Sequence, residues 1–343
     1  MTSQPPIDLR SDTVTKPDPA MRAAMAAAEV ADDVLDHDPT MRAVEERAAE
    51  LLGMPAALWT PTGSMANTIA LCVHLSRGDR FLAPRAAHVL GNELGAAAWL
   101  AGGMPEVLEW TDGPGRPSPD AVRAAAGSTV DGPYHQLRTT LLCLENTHNA
   151  AGGTVTPPDV HGRLVAAAKD RGLRVHLDGA RIWNAAVALG VPPAALTVGV
   201  DTVSACFSKG LGAPVGSVIA GSESFIAQAR RTRKMLGGGV RQGGVVAAAG
   251  LVALDRIEDL ATDHANATTL AAGLAELGWQ VGKPETNIVL AADGTAPDLV
   301  ETLRRLAAAG VLATSTVGQV RFVTHRDVAA ADIAEALRRI STG

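Results

Sequence analysis

Several residues of types that carry out chemistry stand at the end of, or shortly after, short apolar runs of the sequence. They are Lys209 behind run 201–208, Asp178 at the end of 173–178, Gly63 and Ser64 behind 56–60, and His88 behind 80–84. If these runs are parallel strands, their carboxyl ends lie at the same edge of a sheet, and the residues meet there. Open α/β sheets bind their ligands at that edge. An amine, a carboxylate, a glycine turn that opens a helix and an imidazole would then face one ligand.

Lys209 lies in the segment SKGLGAPVGS, 208–217, among glycines and other small residues. A lysine that is partly buried in such a segment has an amine suited to Schiff-base chemistry, and its small neighbours leave room for a planar ring. Taken by itself, a lysine is more often a solvated surface residue.

The other positions each have a ligand-binding and an ordinary interpretation. Asp178 can pair with a protonated ring nitrogen, or it can cap a helix. Gly63 and Ser64 can bind phosphate at a helix N-terminus, or Ser64 can be a plain N-cap. His88 can stack on a ring and exchange protons, although a lone histidine is more often structural. Their joint position with Lys209 favours pyridoxal phosphate as the ligand.

The sequence disfavours two other ligand classes. A dinucleotide site needs G-x-G-x-x-G after a first strand, and neither the glycines 237–239 nor the turn 210–216 has that context. The acidic run DDVLDHD, 32–38, precedes a helix at Pro39, and acids are common at helix starts. Three single cysteines without C-x-x-C spacing indicate neither a disulfide framework nor a zinc site. We therefore predict that the catalytic site uses no metal.

Strands and helices alternate along the part of the chain that positions these residues. Strand-like runs occur at 56–60, 80–84, 139–145, 173–178 and 201–208, and helical stretches include 90–101 and 222–278. This alternation predicts an α/β fold, with a mostly parallel sheet flanked by helices on both faces.

The end of the chain has a different pattern. Strand-like runs at 287–292 and 320–324 accompany helical patterns at 297–308 and 327–340. We predict three parts: a polar N-terminal arm (1–16), a large ligand-binding domain (17–250) and a small C-terminal α+β domain (251–343).

The composition excludes several classes of protein. Of the 343 residues, 47% are hydrophobic and only 3% aromatic, so the chain has apolar surface to bury and packs small side chains. The net charge of −6, without a basic stripe, argues against a nucleic-acid partner. The first residues, MTSQPPIDLR, do not have the pattern of a signal peptide, and no apolar stretch of about 18 residues occurs, so we expect a cytoplasmic protein without a signal peptide or a membrane span.

Longer motifs are spread over most of the chain. They are DLRSDTVTKP (8–17), DDVLDHDPT (32–40), PTGSMAN (61–67), HVLGNELGAAA (88–98), HQLRTTLLCLENTHNAAGG (135–153), HLDGARIWNAA (176–186), SKGLGAPVGS (208–217), RKMLGGGVRQGG (233–244) and VRFVTH (320–325). In these motifs the sequence resembles the low-specificity L-threonine aldolases, a family of fold-type-I pyridoxal phosphate enzymes. The resemblance implies cleavage of L-threonine, L-allo-threonine or related β-hydroxy-α-amino acids to glycine and an aldehyde. It also implies a homodimer or homotetramer with active sites at the dimer interface.

The resemblance assigns roles to the residues around the cofactor. Lys209 would carry pyridoxal phosphate as a Schiff base, Asp178 would pair with the ring nitrogen, and His88 would stack on the ring. The full set of cofactor-binding residues implied in this way is Gly63, Ser64, His88, Asp178, Arg181, Lys209 and Arg241.

The resemblance also implies how the substrate is held. Its carboxylate would bind Ser11, Arg181 and Arg321, and the bidentate fork of arginine suits that task. His135 matches a second active-site histidine. The base that removes the β-hydroxyl proton would be His88, His135 or a water that one of them holds, since an imidazole titrates near neutral pH.

Two positions depart from the family pattern. Many members have V-Y-G-x-D-P where this chain has VLDHDP, 34–39, so that Leu35 replaces the tyrosine. Many have an aromatic residue four positions after the stacking histidine, where this chain has Asn92. By resemblance, Leu35 and Asn92 line the side where the aldehyde half binds. Their loss of ring surface would favour a polar aldehyde, such as glyoxylate from 3-hydroxyaspartate, but retained activity on threonine and allo-threonine is the favoured interpretation.

Two other functions remain open at this point. One is a different reaction on the same fold, such as β-elimination or racemisation. The other is a non-catalytic protein that keeps the fold, against which the intact Lys209 and Asp178 argue.

Overall fold

The computed structural model describes residues 5–127, 133–296 and 298–342. The strands are β1 (Ile7–Asp8), β2 (Ala56–Thr60), β3 (Arg80–Pro84), β4 (Met104–Leu108), β5 (Thr139–Glu145), β6 (Arg174–Gly179), β7 (Thr202–Cys206), β8 (Ser217–Gly221), β9 (Gln280–Val281), β10 (Ile288–Ala292), β11 (Val311–Leu312), β12 (Thr314–Thr316) and β13 (Gln319–Val323). The α-helices are α1 (Pro19–Ala26), α2 (Pro39–Leu51), α3 (Gly63–His74), α4 (His88–Gly91), α5 (Ala96–Trp99), α6 (Pro119–Ala126), α7 (Pro158–Lys169), α8 (Ile182–Leu189), α9 (Glu223–Met235), α10 (Gly244–Leu254), α11 (Leu260–Glu276), α12 (Leu299–Ala308) and α13 (Ala330–Thr342).

The central sheet has seven strands in the order β2-β8-β7-β6-β5-β3-β4. Strand β8 is antiparallel to both neighbours, and the other neighbouring pairs are parallel. The mostly parallel sheet predicted from the sequence is thereby confirmed. Strand register places Glu145 beside Asp178, and Asp178 beside Ser204. Three polar side chains therefore line up across β5, β6 and β7, with Glu145 and Asp178 at or next to the carboxyl ends of their strands and Ser204 in the middle of β7.

Small residues let neighbouring backbone segments of the central sheet approach closely. A Cβ added at Gly179 would lie 2.6 Å from the backbone oxygen of Ser204, so only glycine fits between β6 and β7 there. Strands β5 to β8 are almost wholly buried, because helices cover both faces of the sheet. Such packing explains how a chain with so few aromatic residues fills its interior.

The C-terminal part forms a second, antiparallel sheet, in the order β12-β13-β10-β9. Helices α11, α12 and α13 pack on it around the buried Phe322. The N-terminal segment is attached to this part, because β1 pairs in parallel with β11, and Ile7 and Leu9 are buried in the same core. The domain boundaries at 16 and 250 stay predictions.

Some local elements differ from the sequence prediction. Where one helix was predicted at 90–101, the chain has two four-residue helices, α4, which begins earlier at His88, and α5, with a left-handed Gly95 (φ of 75°) before α5. The region 222–278 is three helices, and Gly237, with φ of 82°, follows the first of them. Strand β4 was missed because it is an edge strand with mostly exposed residues, so it has no apolar run. No helix among the described residues is long and apolar enough to cross a membrane.

The buried His161 of α7 gives a prediction on stability. Burial lowers the pKa of His161 to about 4, and its Nε2 has no hydrogen-bond partner among the described residues. An unfolded chain binds this proton near pH 6.5, so the folded state loses stability as the pH falls from about 6.5 to 4. The wild type loses this free energy of unfolding and His161→Leu does not. Between pH 7 and pH 4.5 we therefore expect the difference in free energy of unfolding to shift by about 2–3 kcal/mol in favour of the variant.

Urea unfolding at pH 7, 5.5 and 4.5 measures this difference. The control is His37→Asn, at an exposed histidine. A His161→Leu difference that stays constant over this pH range would contradict the prediction.

Candidate active site

Asp178 is the buried acid at the centre of the sheet edge. Its carboxylate accepts hydrogen bonds from Asn67 Nδ2 at 2.8 Å and from the Ala180 N–H at 3.0 Å. Burial alone raises the pKa of this carboxyl, but the charges of His88 and Lys209 outweigh burial and hold the pKa below its usual range. Helix α8 begins at Ile182, so Asp178 is not its N-cap. The carboxylate of Asp178 is therefore ionised, and it is not used to cap a helix.

Asn67, on α3, holds this acid through a fully used carboxamide. Nδ2 donates to Asp178 Oδ2 and to Glu93 Oε1, both at 2.8 Å. Oδ1 accepts from Ser204 Oγ at 2.8 Å and lies 3.1 Å from His176 Nε2. Sequence reasoning missed Asn67, although it ends the PTGSMAN motif and lies one helical turn beyond Gly63.

His88 begins α4 and is bound on two sides. Its Nδ1 lies 2.9 Å from Glu93 Oε1, and its backbone N–H donates to Glu145 Oε2 at 2.7 Å. The hydrogen bond to Glu93 raises the pKa of His88, against the effect of burial. Burial in turn raises the pKa of Glu93. One polar side-chain atom each of His88, Glu93 and Asp178 lies within 4.8 Å of the other two, as in a metal site. Hydrogen bonds already join these residues: Glu93 contacts His88 directly, and Asn67 links Glu93 to Asp178.

Lys209 and the start of α3 lie on the other side of the same edge. Lys209 Nζ is 3.6 Å from Cys206 Sγ, and a Cβ added at Gly63 would be 2.8 Å from that sulfur. The N-cap of α3 is Thr62, whose side chain accepts the Met65 N–H. Ser64 is thus not the cap, and the first N–H groups of the helix have no acceptor within the helix itself.

Two arginines converge next to this edge. Arg181 makes a bidentate pair with Asp12, at 2.8 and 2.6 Å, and its Nη1 donates to Asn149 Oδ1 at 3.1 Å. Arg321 donates to the same Asn149 oxygen at 2.8 Å and to the Arg10 carbonyl at 3.1 Å. The buried Nε of Arg321 has no acceptor in the described part of the chain.

The charges of this pair are not balanced. Burial and the neighbouring Arg181 lower the pKa of Arg321 to about 10. Burial alone would raise the pKa of Asp12, but Arg181 holds it well below its usual range. Two guanidinium groups therefore share one carboxylate, which leaves capacity for an added anion. Ser11 is adjacent, and its hydroxyl caps the short helix 12–14.

Glu145 joins the two halves of the site. One of its carboxylate oxygens accepts the His88 N–H, and the other accepts the Asn149 N–H at 2.8 Å. The imidazole and the arginine pair are thus fixed to one side chain at the end of β5. The motif 135–153 contains Glu145 and Asn149, but neither residue was given a role from the sequence. An acid that ends a buried strand was the available signal.

Four predicted site residues lie away from this network. His135 is exposed, and its ring edge meets Tyr134 at a centroid distance of 5.4 Å. Arg241 is half exposed and pairs with Asp32 at 3.1 Å. Leu35 is 77% exposed, and Asn92 is the exposed C-cap of α4. Over the described residues, no side-chain hydrogen bond or ion pair links these four to the network.

Three of the four acids of the run 32–38 make contacts within the fold. Asp38 caps α2 by accepting the Met41 N–H at 2.9 Å. Asp33 makes a buried ion pair with Arg233. Asp32 accepts the Val34 N–H and pairs with Arg241. Asp38 alone of these three acids serves the start of α2, and the first turn of that helix carries no acid.

Comparison with known proteins identifies relatives over the whole chain. A protein family described as beta-eliminating lyase matches residues 8–293. The chain is 42% identical to a probable low-specificity L-threonine aldolase 2 of Arabidopsis thaliana, over 95% of this chain and 94% of that one. It is 41% identical to a low specificity L-threonine aldolase of Escherichia coli K12, over 96% of both.

Solved structures share the fold. A threonine aldolase from Leishmania major superposes with a TM-score of 0.84 at 20% identity, covering 98% of this chain and 99% of that one. A serine palmitoyltransferase from S. paucimobilis with bound PLP gives a TM-score of 0.74 at 18% identity, covering 98% and 87%.

The pair between Arg181 and Asp12 gives a prediction. Asp12→Asn would leave a buried guanidinium without its counter-charge, beside a second guanidinium. We expect a loss of about 3–5 kcal/mol in the free energy of unfolding, measured with urea at pH 7. The control is Asp8→Asn, since Asp8 pairs with the half-exposed Arg10, and a loss below about 1 kcal/mol is expected there. Equal losses in the two variants would show that the pair has no special role in stability.

Proposed function

Since the chain belongs to the beta-eliminating lyase family, we propose that it cleaves L-threonine, L-allo-threonine or related β-hydroxy-α-amino acids to glycine and an aldehyde. Its relatives named low-specificity L-threonine aldolases are 40–42% identical over about 95% of its length. The protein is accordingly a pyridoxal-phosphate-dependent carbon–carbon lyase of the threonine aldolase type. The convergence of Arg181 and Arg321 beside Asp178 and Lys209 is the observation that carries the choice of an amino acid as substrate.

The residues at the sheet edge fit pyridoxal phosphate. Asp178 offers a buried, ionised carboxylate to a protonated ring nitrogen, and Lys209 offers an amine to the aldehyde. Gly63 and Ser64 present N–H groups at the start of α3 to the phosphate, and His88 lies at the same edge for the ring face. When bound, the cofactor supplies an electron-accepting ring for the bond that breaks.

The arginine pair binds and orients the substrate in this proposal. Arg181 and Arg321 are brought together by the Asn149 oxygen that both donate to, and the unpartnered Nε of Arg321 is a donor for a carboxylate, with Ser11 beside it. A carboxylate that is held by two guanidinium groups cannot rotate freely. The orientation of the substrate's Cα is then fixed, and this orientation determines which of the bonds to Cα breaks.

His88 is the base that we propose for the β-hydroxyl proton. It is half-buried and at the sheet edge, and it is held by both Glu93 and Glu145. His135, by contrast, is exposed in the chain as described. A neutral imidazole accepts the proton, and the nearby carboxylates stabilise the resulting cation.

The exposed positions of several residues agree with a homodimer or homotetramer. Leu94 is 96% exposed and Trp99 is 80% exposed, and both follow His88 in the segment 88–99. Large apolar side chains on a surface favour burial against another subunit. In such an assembly Arg241 and His135 would face a partner's site, where the phosphate and the substrate lie. The three free cysteines suit the reducing cytoplasm, which we propose as the location.

The first test of this function replaces Lys209. The purified protein is incubated with threonine, allo-threonine, phenylserine and 3-hydroxyaspartate, and glycine and aldehyde are measured. We expect cleavage by the wild type and a loss of about a thousandfold or more in Lys209→Ala, with the fold retained. The exposed Lys283 gives the control, since Lys283→Ala is expected to keep full activity.

The products decide between the alternatives. Ammonia with a keto acid would indicate β-elimination, and an inverted amino acid would indicate racemisation. Preference for 3-hydroxyaspartate would assign the departures at Leu35 and Asn92 to a polar aldehyde. Full cleavage by Lys209→Ala would overturn the mechanism.

The second test compares the two histidines. We expect His88→Asn to lower kcat about a hundredfold or more and His135→Asn to lower it less. Because the pKa of His88 is raised, activity should be lost as the pH falls through a midpoint above 6.5. A larger effect of His135→Asn would assign the base to that residue. No effect in either variant would mean that water suffices.

A further inference from the structure

Glu93 is a buried acid to which the sequence assigned no role. It lies two residues after the end of α4, and its side chain is only 2% exposed. Its Oε1 contacts both His88 Nδ1, at 2.9 Å, and Asn67 Nδ2, at 2.8 Å. Its Oε2 is buried and has no hydrogen-bond partner within the described residues. The two oxygens therefore have different environments, and only one of them meets the imidazole.

We propose that Glu93 is a positioning residue that keeps the imidazole proton of His88 on Nδ1, so that Nε2 is the atom that accepts the substrate's proton. The statement about Nε2 rests on the proposed function, whereas the statement about Nδ1 stands on the contacts alone.

The hydrogen bonds at Oε1 determine the tautomer. An amide NH₂ group only donates, so Oε1 must accept from Asn67. If Glu93 binds a proton, that proton therefore belongs on the unpartnered Oε2. In both protonation states Oε1 remains an acceptor, and His88 must donate to it from Nδ1. A neutral imidazole with its proton on Nδ1 has its free lone pair on Nε2.

Asn67 cannot turn its carboxamide around to change this arrangement. A reversed amide would aim its oxygen at the two carboxylates of Glu93 and Asp178. Its NH₂ group would then face Ser204 and His176, which now lie at its oxygen. The acid that orients His88 and the acid that faces the ring nitrogen are thus held by two hydrogens of one amide group.

The charges around His88 support a role as a proton acceptor. Three acids act on the imidazole: Glu93, Asp178 and Glu145. Lys209 is the cation near Asp178. Acids on several sides stabilise an imidazolium once Nε2 has taken up a proton. Without Glu93, a neutral imidazole could place its proton on either nitrogen, and one of the two tautomers has no acceptor at Nε2.

Two variants separate the charge of Glu93 from its hydrogen bond. In Glu93→Gln the amide oxygen can still accept from both Asn67 and His88, but the charge is gone. In Glu93→Leu the acceptor is gone as well. The exposed Glu276 supplies the control Glu276→Gln. All are measured as the full chain with bound cofactor.

Nitrogen-15 NMR of the histidine side chains gives the direct readout, with the His88 signals assigned by their loss in His88→Asn. In Glu93→Gln we expect the proton to stay on Nδ1 and the titration midpoint of His88 to fall by about one pH unit or more. In Glu93→Leu we expect signals of the tautomer with the proton on Nε2. The control should match the wild type in both respects.

Kinetics supply the second readout. In Glu93→Leu we expect kcat to fall about a hundredfold while KM changes less than about threefold. In Glu93→Gln the acidic limb of the pH profile should move to lower pH, because the base binds its proton less tightly. These changes distinguish a positioning role from a structural one, which would lower stability without moving the pH profile.

Specific outcomes would overturn the proposal. An unchanged tautomer in Glu93→Leu, or an unchanged His88 midpoint in Glu93→Gln, would leave Glu93 a structural acid only. If Glu93→Leu does not fold, the midpoint in Glu93→Gln decides. If the wild type cleaves no amino acid, the proposed function fails, while the NMR still decides whether Glu93 fixes the proton on Nδ1.

Discussion

The buried carboxamide of Asn67 is the contact on which the rest of the site depends. A carboxamide has four hydrogen-bonding positions, and burial makes each unfilled position costly. Here Glu93 and Asp178 accept its two hydrogens, while His176 and Ser204 lie at its oxygen. Because these partners come from different segments, the sheet, α3 and the loop after α4 can meet in only one arrangement. The buried acids Glu93 and Asp178 are thereby held in place by the two hydrogens of one amide group.

The second constraint is the position of Glu145, which sets the distance between the two ends of the site. Its two oxygens hold the backbones of His88 and Asn149, and Asn149 in turn takes a hydrogen from each arginine. A strand end deep in a sheet is among the most rigid places in a protein. The group that would accept a proton and the groups that would hold a carboxylate are therefore spaced by the sheet itself, and preorganised groups of this kind lose little entropy when substrate binds.

Strand-end residues were predictable from the sequence because each follows a buried apolar run, as Asp178 and Lys209 do. The parallel sheet was predictable from the same alternation. Asn67 and Asp12 were not, because their partners are distant in sequence: Asp178 lies 111 residues after Asn67, and Arg181 lies 169 after Asp12. Glu93 has one near partner, His88, but its contact with Asn67 joins two separate segments of the chain. Arg241, His135 and Leu35 were named from family motifs, and a single chain leaves them on its surface. Their roles stay predictions that depend on a second subunit.

Reaction type on this fold depends more on the surroundings of Lys209 and Asp178 than on those two residues. An amine and an acid at the sheet edge serve elimination, racemisation and aldol cleavage alike, since each reaction uses the same electron-accepting ring. What differs is which bond of the substrate is held in position and where a base stands. In the function that we propose, the arginine pair would set the first, and Glu93 would set the second through His88. On this proposal the choice of aldol cleavage depends on Glu93 as well as on Lys209 and Asp178, and a relative that lacked Glu93 could keep the other two residues and still catalyse another reaction.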